Sequence, residues 1–180
     1  MVVRSTPSGR SARNRMLFQT LLASAKRSIH ITTPYFLPDG SAREELIRAV
    51  RERGVDVRII VPGKHSDHLL TRRSSRRLFG SLLRAGIKIY EYGPSMIHTK
   101  SLVVDELWSV VGSTNFDNRS FGINDEVNVA ASDPELAARL EQDFAADLLE
   151  SQAVTYRGWR QRPFFERAHE LLGKLLERQQ

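Results

Sequence analysis

Three short runs rich in β-branched residues, SIHITT (28–33), DVRIIVP (56–62) and IKIYEY (87–92), alternate with stretches whose apolar residues recur at helical spacing. That alternation constrains the fold more than any other feature, because strands separated by helices pair in parallel and bury both faces of their sheet. Met16, Leu17, Thr20, Leu21 and Ala25 predict a helix over 11–26. Leu46, Ile47 and Val50 predict a second over 41–53, closed by Gly54, and a third over 67–85 stops at Gly86. The pattern then changes. MIHTKSLVVD (96–105) and LWSVVGS (107–113) are strand-like and joined by a short turn at Asp105-Glu106. EVNVAAS (126–132) is a further strand, Asp133-Pro134-Glu135 opens a helix to about 150, and a last helix is expected over 163–178. The expectation is an α/β sandwich with a mixed sheet. Residues 1–10, with Pro7, Gly9 and several Ser and Thr, read as a flexible N-terminal segment, and 11–180 as a single domain ending in an amphipathic helix.

The chain has no cysteine, which excludes thiolate nucleophiles, disulfides and cysteine metal sites. No His, Asp and Glu cluster has obvious ligand spacing, so neither a metal nor a cofactor is expected. No apolar run approaches the ~20 residues that span a bilayer. MVVRSTPSGRSARNRM lacks the apolar centre of a signal peptide, and any membrane contact is expected to be peripheral. With 27 Lys and Arg against 21 Asp and Glu, the formal charge is +6. Such a balance favours a polyanionic partner, nucleic acid or an anionic membrane surface, without choosing between them.

Chemistry is concentrated near residue 100. On a strand, residues two apart point to the same face, so His98 and Lys100 project together. The second strand of the pair delivers Gly112-Ser113-Thr114-Asn115 at its end. An imidazole, an ammonium, a hydroxyl and an amide converging on one point suit a phosphate. The imidazole can attack phosphorus or protonate a leaving oxygen, and the other groups stabilise charge growing on the equatorial oxygens.

The spacing is specific. His98-Thr99-Lys100, four residues, Asp105, six residues, then Gly112-Ser113-Thr114-Asn115 matches HxK(x)4D(x)6GSxN without a gap, the signature of the phospholipase D superfamily. TTPYFLPD (32–39), GVDVRIIVPGKHSDH (54–68), IYEYGPSMIHTK (89–100) and GSTNFDNRSFGINDEVN (112–128) further resemble the C-terminal catalytic half of bacterial cardiolipin synthases. The resemblance implies a phospholipase D-like α/β/α sandwich with one HKD half. It implies phosphatidyl transfer through a phosphohistidine, from phosphatidylglycerol and without a metal. By position, His98 is then a catalytic histidine, and Lys100, Ser113 and Asn115 bind the substrate phosphate. Asp105 completes the motif at the turn, points away from the chemistry and holds the motif in place. Glu126 matches the family's acidic residue that hydrogen-bonds the histidine and fixes its tautomer.

One departure stands out. Two-motif enzymes build the site between two halves, and this sequence holds one motif; His65 and His68 lack the lysine. The resemblance therefore implies a partner, either a second copy in a homodimer or another HKD-containing half. Three readings stay open: a cardiolipin synthase-type phosphatidyltransferase on the inner face of the cell membrane, a homodimeric nuclease acting on nucleic acid, or a half-site inert alone. Two features around the motif bear on them. Arg72, Arg73, Arg76 and Arg77 lie on the third helix, where they form either an anionic-headgroup strip or a solvated face. Phe164, Phe165, Leu171, Leu172, Leu175 and Leu176 form an apolar stripe on the last helix, flanked by basic residues and suited to a membrane interface or to packing.

Overall fold

The computed structural model describes residues 1–5, 13–67, 69–122 and 124–162. Strands β1 (Val2–Ser5), β2 (Ser28–Thr32), β4 (Asp56–Pro62), β5 (Lys88–Tyr92), β6 (Ser101–Val104), β7 (Trp108–Gly112), β9 (Glu126–Ser132) and β10 (Ser151–Ala153) form one sheet in the order β1-β9-β7-β6-β2-β4-β5-β10. The three β-branched runs pair in parallel, β2 on β4 and β4 on β5. The remaining pairs are antiparallel, so the sheet is mixed as expected. A small second sheet pairs β3 (Phe36–Leu37) with β8 (Phe116–Asp117).

Helices α1 (Arg13–Ser24), α2 (Gly40–Arg53) and α3 (Leu69–Ala85) cover one face of the large sheet. Phe18, Leu22, Leu46, Phe79 and Leu82 meet Ile29, Ile31, Ile59, Ile89, Leu102 and Val110 in the main core. Each such large side chain, fully buried, contributes roughly 1.5–3 kcal/mol. Helix α5 (Pro134–Leu149) covers the other face, where Phe144 and Leu148 pack on Ile60, Ile97, Tyr90 and Tyr92. His30 ties this helix to the sheet centre, with Nδ1 2.6 Å from Glu141 Oε2 and its ring stacked on Phe144. The result is the three-layer α/β/α sandwich.

Local chemistry explains the element ends. The Asp39 carboxylate caps α2 by accepting from the Ala42 amide, and Gly54 closes it in the left-handed conformation at φ 68°. Asp133 caps α5, with Pro134 at its first turn. The hairpin β6–β7 turns through Asp105 and Glu106, both at positive φ (55° and 57°), the geometry that matches the twist of the flanking strands.

Three expectations change. The expected N-terminal loop over 1–10 is a strand over Val2–Ser5, paired with β9; its alternate burial supplies a weak strand pattern that Pro7 and Gly9 outweigh in the sequence. His98 and Lys100 lie in the extended segment before β6 rather than on it, because the β7 register begins at Ser101 opposite Val111. The short α4 (Asn118–Gly122) and α6 (Tyr156–Arg160) have no apolar period to announce them. Helix α6 docks on α3: Trp159 Nε1 donates to the Arg76 carbonyl at 2.6 Å, and its ring lies over Gly80, where a Cβ would sit 2.2 Å away. The expected last helix over 163–178 lies outside the described residues.

Candidate functional site

Antiparallel pairing brings the start of β6, the end of β7 and the start of β9 to one edge of the sheet. That edge also carries the C-terminal ends of β2, β4 and β5. In an open α/β sheet this is the edge where loops diverge and a ligand can enter. His98, Lys100, Ser113, Asn115 and Glu126 all lie along it.

Lys100 Nζ lies 3.2 Å from His98 Nδ1 and 3.0 Å from the His98 carbonyl oxygen. An ammonium only donates, so this contact uses the Nδ1 lone pair and places the neutral ring's proton on Nε2. The ring is exposed, and Tyr35 meets it edge-on at a centroid distance of 6.5 Å. The Tyr35 hydroxyl donates to both oxygens of Asp67, at 3.0 and 2.9 Å. Burial, the Asp67 hydrogen bond and the Asp67 charge push the Tyr35 phenol up to about 12.

Burial holds the Lys100 ammonium below the usual lysine range, against the opposing pull of Glu126, Asp67 and Asp117. Asp117, at the end of β8, is raised by burial and by the neighbouring Glu126 charge, although the Ser120 amide donates to it at 2.7 Å. The charges that act on the lysine are thus those of Glu126, Asp67 and Asp117.

Glu126 departs from the role expected of it. It accepts from Ser113 Oγ and, at 3.4 Å, from Asn124 Nδ2, while Nδ1 of the histidine it is expected to bond faces Lys100. The reason is geometric: Ser113 and Glu126 sit on paired strand ends, where Ser113 N donates to the Val127 carbonyl and Val127 N to Ser113 Oγ, both at 3.0 Å. Asn115 also turns inward. Its Nδ2 reaches Ser120 Oγ at 3.4 Å, and its Oδ1 is buried without a partner among the described residues.

Asp105 sits at the far end of β6 from Lys100. Its carboxylate accepts the backbone N–H of Lys26 at 2.9 Å, of Arg27 at 2.7 Å and of Ser28 at 3.0 Å. Burial opposes its ionisation, but these three amides and the Arg27 charge outweigh burial and hold the carboxyl below the usual range.

The arginine strip divides. Arg72 and Arg76 point at the sheet and pair with Glu91 on β5, so they are not part of one open anionic-headgroup surface with Arg73 and Arg77. Residues one apart on a helix differ by about 100° in direction, so two i,i+4 pairs in one run cannot share a face. Arg72, Arg76 and Glu91, with Tyr35, Pro62 and Phe79, line a shallow cleft enclosing about 260 Å³, part of it open to solvent. Sequence reasoning singles out neither Tyr35 as a neighbour of His98 nor Asp67 and Asp117 as charges acting on the lysine; they converge only through folding. Among the described residues no group of three His, Asp or Glu is placed to hold a metal ion, and no helix is long and apolar enough to cross a membrane.

The family model for the cardiolipin synthase PLD-like domain matches residues 18–148. The chain is 37% identical over 175 residues to a cardiolipin synthase of Alkalihalophilus pseudofirmus, covering 97% of this chain and 34% of that protein. To the major cardiolipin synthase ClsA of Bacillus subtilis it is 41% identical over 156 residues, 87% of this chain and 32% of that protein. The chain therefore spans about a third of the length of these relatives. Its fold is similar to that of Nuc, a phospholipase D family member from Salmonella typhimurium, with TM-score 0.71 and 24% identity over 86% of this chain and 98% of that one. It is also similar to that of phosphatidylserine synthase from Haemophilus influenzae, with TM-score 0.71 and 19% identity over 98% of this chain and 45% of that one. At these identities the two structures speak for the fold alone. The matched family model and the aligned relatives show that this chain belongs to the cardiolipin synthase family of phospholipase D-like domains.

Proposed function

We propose that this chain supplies one half of a phosphatidyl-transfer site of the cardiolipin synthase type, with phosphatidylglycerol as substrate. The observation that carries the reading is the contact between Lys100 Nζ and His98 Nδ1 at 3.2 Å, beside the Ser113 loop. Protonated to the imidazolium, with the Nδ1 lone pair that meets Lys100 in the neutral ring taken up by the second proton, His98 is a general acid through Nε2–H. It protonates the glycerol oxygen as the O–P bond breaks and phosphorus bonds to the histidine of the second half. The neutral Nε2 then takes the proton of the acceptor hydroxyl as that oxygen attacks phosphorus and the P–N bond breaks. Lys100 and the Ser113–Asn115 loop stabilise charge on the equatorial oxygens. Glu126 serves through Ser113, as the acceptor that orients its hydroxyl, rather than through His98.

The second histidine comes from a second copy or from another HKD-containing half. Net charge +6 favours contact with an anionic leaflet, so the domain works at the membrane surface. The test is turnover of phosphatidylglycerol in mixed micelles by the purified chain, with EDTA, beside His98→Ala. Turnover lost in the variant supports the reading, with copies of this chain completing the site. A folded chain inactive both alone and with an added HKD half would refute it. The same charge and single motif favour a second reading, a homodimeric nuclease, which unchanged plasmid DNA after incubation with the protein would exclude.

A further inference from the structure

Behind the Ser113–Asn115 loop lies a polar group that the chemistry above does not use. Thr114 Oγ accepts from Asn128 Nδ2 at 2.6 Å and from Asn14 Nδ2 at 3.2 Å. All three residues are buried: Asn14 is 0% exposed, Asn128 1% and Thr114 3%. Burying three polar side chains against an apolar core is costly unless they are hydrogen-bonded, and a bonded group holds its members in one geometry. Here part of the cost is left uncompensated, because Asn14 Oδ1 has no partner among the described residues.

The neighbouring glycine is matched to this arrangement. Gly112 and Asn128 are register partners across β7 and β9. A Cβ on Gly112 would sit 2.3 Å from Asn128 Oδ1 and 2.2 Å from the Val127 carbonyl oxygen. Only glycine lets the two strands close over Asn128 so that it reaches Thr114. On the far side of the loop, Phe116 N donates to Thr33 Oγ at 3.2 Å. The loop is therefore tied to α1, to β9 and to the end of β2.

We propose that Asn128 and Asn14 are positioning residues that clamp Thr114 and hold the Ser113–Asn115 loop in the geometry that receives a phosphate. The phosphate part of this statement rests on the function proposed above; the clamp itself does not. A hydroxyl accepts through two lone pairs, and both are used here. Threonine fills this place because valine matches its shape and offers no acceptor. Removing the acceptor leaves two buried amides unpaired, so the loop and not merely the core is expected to loosen.

The test uses the full chain with Thr114→Val and Thr114→Ser, read by amide hydrogen exchange and by binding of inorganic phosphate at equal folded fraction. Thr114→Val should speed exchange of the Ser113 and Phe116 amides by about tenfold while Val110, mid-strand in β7, changes by less than about twofold. It should weaken phosphate binding by about five- to tenfold, and Thr114→Ser should restore both. Exchange at Ser113 and Phe116 that is unchanged, or rises only in step with Val110, overturns the clamp. Faster loop exchange with unaltered phosphate binding overturns its role in the site. Wild type that binds phosphate no better than Lys100→Ala refutes the phosphate reading itself, and the exchange rates then still decide the clamp.

Discussion

Replacing Asp105 separates a structural aspartate from a chemical one inside the motif. Asp105→Asn keeps one oxygen and tolerates the left-handed backbone at φ 55°, but it turns an NH₂ toward the Lys26 amide and removes the charge. Hydrogen bonds to a charged group contribute about 1.5–3 kcal/mol each when buried. These are partly exposed and screened, so the expected loss is about 1–2 kcal/mol. Asp105→Ala loses every one of these bonds and adds about 1 kcal/mol for a left-handed non-glycine residue, giving about 3–4 kcal/mol in all. For a domain of this size each kcal/mol lowers Tm by about 2–4 °C, so drops of about 2–8 °C and about 6–16 °C are expected at pH 7. The folded pKa is lowered, so the stabilisation is complete above the unfolded value and disappears as pH falls through the folded one. The gap between wild type and Asp105→Asn, followed by calorimetry, should therefore narrow below about pH 4. Equal Tm for all three proteins would refute the reasoning. So would a folded Asp105→Asn protein that has lost phosphate binding, since that would place the residue in the chemistry.

Other consequences are as direct. Gly80→Ala should push Trp159 off α3 and break its bond to the Arg76 carbonyl, costing about 2 kcal/mol and red-shifting tryptophan emission; an unchanged spectrum would contradict the packing. Glu91→Gln leaves Arg72 and Arg76 facing a neutral amide, for a loss of about 2–3 kcal/mol in urea unfolding and a gain in binding to anionic vesicles. Vesicle binding that does not rise would show that the cleft is closed to headgroups. The Tyr35 phenol should ionise near 12, and an absorbance difference against Tyr35→Phe that appears near pH 10 would overturn the Asp67 contact.

The parts of the fold legible in the sequence are those whose stabilisation is local or periodic. β4 and β9 occupy the stretches their β-branched alternation predicts, and α2 ends at Gly54 because only a residue tolerant of positive φ closes a helix there. β1 is not legible along the chain, because its stability comes from pairing with β9, more than a hundred residues away. β3, β8 and β10 are two or three residues long and carry no period. The site divides the same way. HxK(x)4D(x)6GSxN is a covalent spacing within one hairpin, so it is visible in one dimension. Tyr35 meets His98, and Asp67 and Asp117 act on Lys100, from separate parts of the chain that no local signal marks.

By itself the sequence determined the α/β class, the hairpin, the motif and the family likeness, since each depends on the order of residues over a short span. Only the tertiary structure decided which groups those residues meet. Asp105 turned to the backbone of 26–28, Glu126 to Ser113 in place of His98, and two of the four arginines to Glu91. Hydrogen-bond partners are chosen by distances of about 3 Å between segments far apart in the chain, and no pattern read along one segment contains that distance.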